Sequence, residues 1–207
     1  METAGSDRID GFVGADLLFQ QDVELDLAKL TLQFFSATDC PNRFLDYWAN
    51  YISMVDVEPA FAGDLRQIVP VVINGVKARA MVDSGADRSV IDTHFAARLG
   101  ITAESLNVVR QSHQLKGVGT HALDSWVMPV VQFSIGDESI QNTRIEMADL
   151  WSAVQQDIDL MATSGYVHAQ PDMLLEADFL QSHRVLFAIS QRHFYFRWPS
   201  GKVFKPD

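Results

Sequence analysis

Apolar and polar residues alternate with a period of two along much of this 207-residue chain. That is the period of strands with one buried face. Val23, Leu25 and Leu27 alternate with charged residues, Ala28-Lys29 reads as a turn, and Leu30, Leu32 and Phe34 alternate again. The pattern predicts a short helical turn near Asp16, then a β-hairpin ending near Phe35. Apolar runs at 68–73 and 76–82 flank Asn74-Gly75. An Asn-Gly pair between two such runs is the strongest short hairpin cue, because both central residues need positive φ. Beyond it, Asp92 or Thr93 can cap a helix whose Phe95 and Leu99 face inward, with Gly100 in the left-handed position at its end. Strands follow from Leu106, at 126–133 and at 139–147, with Gly136-Asp137 as the turn between the last two. A final hairpin pairs 185–189 with 193–198.

Two stretches break the period. Phe44, Trp48 and Ile52 lie four apart, which predicts a short amphipathic helix packed on its neighbour. Leu150, Val154, Ile158 and Met161 recur at helical spacing, with Asp149 as cap and Gly165 as stop, so a helix is expected over 149–164. The division that follows is 1–36, a connector with a short helix at 37–62, a compact domain at 63–199 and a tail at 200–207.

The two ends of the chain match each other at an offset of 162 residues without a gap. Ala15/Ala177, Asp16/Asp178, Leu18/Leu180, Val23/Val185 and Phe34/Phe196 are identical. Leu25 meets Phe187, Leu27 meets Ile189 and Leu32 meets Phe194. The same order of small-Asp-Leu turn, strand, turn, strand recurs. Residues 1–36 therefore read as the closing remnant of a preceding domain of the same kind, and the sequence as beginning mid-protein.

Composition narrows the partners. Net charge is −11, which argues against nucleic acid and anionic membrane, since both need a basic surface. No apolar run approaches the length of a bilayer span, and 1–10 lacks the layout of a signal peptide. The single Cys40 cannot form an internal disulfide. None of the six histidines falls into a metal-binding pair, so no metal and no cofactor are expected.

The chemistry concentrates in Asp83-Ser84-Gly85-Ala86. An apolar strand runs into a carboxylate, then a hydroxyl, then a glycine that lets a backbone N–H approach the carboxylate. No Gly-x-Ser-x-Gly elbow surrounds Ser84, so it does not read as a nucleophile. Asp16 and Asp178 follow small residues at helical turns and read as caps.

Hydrophobic-hydrophobic-Asp-Ser-Gly-Ala, a capped helix ending in Leu-Gly, a glycine-rich hairpin tip, and Leu-Leu-x-Ala-Asp-Phe-Leu together resemble retropepsin-like aspartic proteases over residues 64–199. The Val-Asn-Gly-Val hairpin before the Asp is closer to the bacterial members than to the short viral ones, so a soluble protein of the bacterial cytoplasm or periplasm is expected. The resemblance implies a mainly β, closed barrel with short helices, to which 149–164 adds a helical insertion. It implies that Asp83 is the catalytic carboxylate, that Ser84, Gly85 and Ala86 complete its loop, and that Gly117, Val118 and Gly119 lie in a flap. The family usually has Gly at the position of Glu176, so this side chain must point to solvent or distort the packing beneath the loop.

Hydrolysis by this route needs two carboxylates sharing a proton. One Asp-Ser-Gly supplies half, so the second is expected from a homodimer or from a preceding homologous domain. The expected substrate is a peptide or protein. The alternative is a catalytically weak or inactive domain of this fold that serves in dimerisation or peptide binding.

Overall fold

A computed structural model describes residues 13–36, 43–58, 64–116, 122–151, 170–198 and 201–204. Six strands close into a barrel: β4 (Gln67–Ile73), β5 (Val76–Val82), β6 (Val90–Asp92), β10 (Ser125–Ile135), β11 (Glu138–Ala148) and β12 (Met173–Leu175). They pair in the ring β11-β6-β12-β5-β4-β10, which the β10–β11 ladder closes. Closure removes the free edges that an open sheet would present. β7 (Val109–Arg110) hangs on the outside of β10.

The local chemistry explains the joints. In β4, Ile68, Val69, Val71 and Ile73 are buried while Pro70 faces out. Asn74 and Gly75 take φ of 49° and 81°, the pair of left-handed residues that the hairpin demands. Asn74 Oδ1 also accepts the amides of Val131 and Gln132, which ties the turn to β10. Gly136, at φ +50°, joins the two eleven-residue strands β10 and β11. A Cβ there would lie 3.3 Å from the Met54 carbonyl oxygen and 3.3 Å from the Phe196 ring, so both conformation and space require glycine. α2 (Thr93–Arg98) is capped by Asp92, whose carboxylate accepts the His94 amide at 2.9 Å.

A second, five-stranded sheet runs in the order β2-β1-β13-β14-β3, from β2 (Thr31–Phe35), β1 (Asp22–Asp26), β13 (Arg184–Ala188), β14 (His193–Arg197) and β3 (Ser53–Asp56). α1 (Ala15–Leu18) precedes β1, and α3 (Ala177–Ser182) precedes β13. One face of β13 and β14 packs Val185, Phe194 and Phe196 into the barrel core with Phe133, Phe179 and Phe204. Burial of these large side chains is the main stabilising term.

Some expected elements differ. Residues 44–52 form no helix: they run irregularly through one turn into β3. Trp48, Ala49 and Leu45 pack against Leu186 and Tyr195 without helical geometry, so tertiary packing overrides the four-residue spacing. Of the helix expected at 149–164, residues 149–151 are not helical and the rest lies outside the described residues. Among the described residues, no helix is long and apolar enough to cross a membrane.

Candidate active site

β5 and β12 run parallel, with Leu174 beside Met81 and Leu175 beside Val82. The next residue of each strand leaves the barrel at the same level. Those residues are Asp83 and Glu176. The Asp83 amide donates to the Leu175 carbonyl at 2.9 Å, a main-chain bond at the end of the β5–β12 ladder.

The Asp83 carboxylate is half-buried and accepts the Gly85 amide at 2.8 Å. A Cβ on Gly85 would stand 3.0 Å from Asp83 Oδ1, so glycine lets the amide reach the carboxylate. Ser84, Gly85, Ala86 and Asp87 are exposed and form an open rim. A carboxylate held by one amide at the edge of an open loop can take a proton from a water, or share one with a second carboxylate.

Glu176 neither points to solvent nor leaves the loop without support. It is 2% exposed. Its carboxylate accepts the Ala86 amide at 3.1 Å, and the Ala86 carbonyl accepts the Ala177 amide at 3.2 Å. Burial, and then the negative charge of Asp83, push the Glu176 carboxyl up to about 8. Asp178 and Asp87 add to the rise, and the Ala86 amide opposes it. The side chain is therefore a neutral acid at neutral pH, set directly behind the loop that carries Asp83.

Ser89 is buried and works in two directions. Its hydroxyl accepts the Glu176 amide at 3.0 Å and donates to Asp178 Oδ1 at 2.5 Å. The same oxygen of Asp178 accepts the Phe179 amide at 2.8 Å. Asp178, expected as a helix cap, instead bonds the Asp83 loop to α3: the N-cap position is Glu176, and neither helix is capped by a side chain. Burial pushes the Asp178 carboxyl up while the Ser89 hydroxyl opposes that rise. Residue type alone pointed to none of this, but a Glu and an Asp inside the apolar run 173–180 were a sign that polar partners lay within reach.

The candidate flap residues Gly117, Val118 and Gly119 lie outside the described residues. The ladder that leads to them is described: β8 (Leu115–Lys116) pairs with β9 (Ala122–Leu123). Among the described residues, Asp92, His94 and Asp149 bring ligand atoms within 4.8 Å of one another. The two oxygens of Asp92 already accept the amides of His94 and Leu150, so this group serves the start of α2.

The aspartyl protease family model matches residues 69–179, from β4 through α3. Among solved structures, the chain is similar to a retropepsin-like aspartic protease from Rickettsia conorii, at 13% identity over 72% of this chain and 92% of that one, TM-score 0.44. It is similar to the retroviral protease-like domain of Ddi1 from Leishmania major, at 18% identity over 67% and 93%, TM-score 0.41. It is also similar to EIAV protease complexed with an inhibitor, at 23% identity over 49% and 95%, TM-score 0.31. No curated protein matches.

Proposed function

The chain belongs to the aspartyl protease family, whose model spans more than half of it, and on that premise we propose that it is an endopeptidase with Asp83 as one of two catalytic carboxylates. The observation that carries this reading is the setting of Asp83. It ends β5, its amide is fixed by Leu175, its carboxylate is met by the Gly85 amide, and the rim around it is open.

The second carboxylate comes from a second domain or subunit. With the pair assembled, the ionised member takes a proton from a water held between them. The protonated member polarises the carbonyl of the scissile bond. Two close carboxylates cannot both ionise cheaply, so the pair titrates as a unit. Glu176 fits this scheme as a positioning group. While it keeps its proton it adds no negative charge behind Asp83, and it holds the loop through Ala86. The substrate is an extended peptide.

A second reading is a domain of this fold that binds peptides without cutting them. The observation that favours it is Glu176 itself, a buried acid where the resemblance implies glycine. Digestion of a peptide library at acidic and neutral pH, beside an Asp83→Asn control, separates the two. New termini produced by the wild-type chain and not by the control support the protease. Retention of peptides without cleavage by either protein supports the binding module.

A further inference from the structure

The two faces of the five-stranded sheet carry different chemistry. Val185 and Phe196 point into the barrel core. Arg184 and Arg197 are their neighbours in sequence, so they stand on the opposite face, away from the barrel. The β13–β14 register sets these two arginines directly across from each other. Like charges so placed repel. On the same face Trp48 packs with Leu186 and Tyr195, and the Arg184 guanidinium lies 5.2 Å from the centre of its ring.

A cavity of about 330 Å³ opens there, with Trp48, Arg184, Arg197, Lys29, Asp26 and Ser182 in its lining. That size suits a small ligand. The cavity and the Asp83 loop meet opposite ends of α3. Glu176, before the helix, accepts the Ala86 amide, whereas Ser182, at its end, lines the cavity.

The charges here do not balance. Asp26 accepts the Lys29 amide at 3.1 Å on one oxygen and Lys29 Nζ at 3.0 Å on the other. Arg184 Nη2 donates to both oxygens of Glu24, at 2.8 and 2.9 Å, and the Tyr47 hydroxyl donates to the same carboxylate. His183 engages Glu138 at 3.0 Å. Arg197 is exposed and, among the described residues, has no carboxylate against it. One positive charge is left over, in a chain of net charge −11. Two donors are left over as well. Arg184 Nε and Trp48 Nε1 are buried and, among the described residues, have no acceptor. Buried donors ordinarily have one. A single surplus charge suits a monoanion better than a phosphate dianion, and a carboxylate matches the arginine fork. The Trp48 ring and the aliphatic stems of Lys29 and Arg197 supply apolar walls beside it.

We propose that this cavity binds a carboxylate with an apolar body, the carboxylate between Arg184 and Arg197 and the body on the Trp48 ring. The terminal carboxylate of a peptide ending in an apolar residue and a free apolar acid share this chemistry. The site is separate from Asp83, and the proposal does not depend on the reading of that residue.

An NMR titration of the isotope-labelled 207-residue chain tests it. Phenylacetate should shift the Trp48 indole N–H signal and saturate. Phenylacetamide, which keeps the ring and loses the charge, should bind at least about tenfold more weakly, as should phenylacetate to Arg197→Gln. Arg197 is exposed, so that variant should melt like the wild type. Lys77→Gln, on the far hairpin, and Asp83→Asn should leave the affinity unchanged. N-acetylphenylalanine stands for a peptide end: tighter binding than phenylacetate assigns the site to peptides, and weaker binding assigns it to free acids. A shift that never saturates overturns the proposal, as does equal affinity for the amide or full affinity in Arg197→Gln. Tighter binding of phenyl phosphate overturns the choice of a carboxylate. Binding is read without hydrolysis, so a failure here and a failure of the protease reading are told apart.

Discussion

The Glu176 carboxylate accepts the Ala86 amide at 3.1 Å, which fastens the start of α3 to the loop that bears Asp83. This contact joins an acid of raised pKa to the centre of the candidate site. In the folded chain Glu176 binds its proton up to about pH 8, against a usual value of 4.5. Between those values the native state holds more protons than the unfolded state, so stability falls as pH rises. The cost accrues at no more than about 1.4 kcal/mol per pH unit. Glu176→Gln keeps an acceptor for Ala86 and removes the titration. Its Tm should match the wild type near pH 5 and exceed it by several degrees at pH 8. Thermal melts across that range check this; a constant difference contradicts it.

Ser89 gives the second expectation. Ser89→Ala leaves the Glu176 amide and the Asp178 carboxyl buried without their shared hydroxyl. A buried polar group left unsatisfied costs about 1–3 kcal/mol. Urea unfolding should show a loss of about 2–3 kcal/mol with an unchanged m-value. Ser89→Thr should recover most of it, because the hydroxyl is kept.

How much of this was legible beforehand follows from range. Asn74-Gly75, the Asp92 cap, the Gly136 turn and the outer hairpins are set by neighbours in sequence, and their residues announced them. The turn at Asp83-Ser84-Gly85 is local too, closed by the Gly85 amide on the Asp83 carboxylate. Glu176 was not legible, because its neighbour Asp83 lies 93 positions away and meets it through a parallel register. Residues 44–52 misled because four-residue spacing suits a helix, while Trp48 and Leu45 are held by packing on Tyr195 and Leu186.

Gly85 separates position from stability. A Cβ there meets Asp83 Oδ1 at 3.0 Å, so Gly85→Ala turns the carboxylate away from the Gly85 amide. On an exposed rim this should cost under about 1 kcal/mol of stability. Displacing a reacting group by about 1 Å costs on the order of 100-fold in rate. The variant should therefore melt like the wild type and cleave peptides at least tenfold more slowly.

Gly136 is the contrasting case. Gly136→Ala combines positive φ with 3.3 Å approaches to the Met54 carbonyl and the Phe196 ring. Strain of this kind costs on the order of 1–3 kcal/mol. Urea midpoints should fall accordingly, and the folded fraction should retain the wild-type specific activity, since the turn joins β10 to β11 at Gly136-Asp137 and not at Asp83.

The central claim is that Asp83 is one of the two carboxylates that act on the water. The direct measurement is the rate at which folded Asp83→Asn, confirmed by an unchanged melt, cleaves the best peptide found for the wild-type assembly. The expected result is loss of cleavage at every pH at which the wild type is active. Cleavage that persists at the wild-type rate in the Asn variant would contradict the assignment.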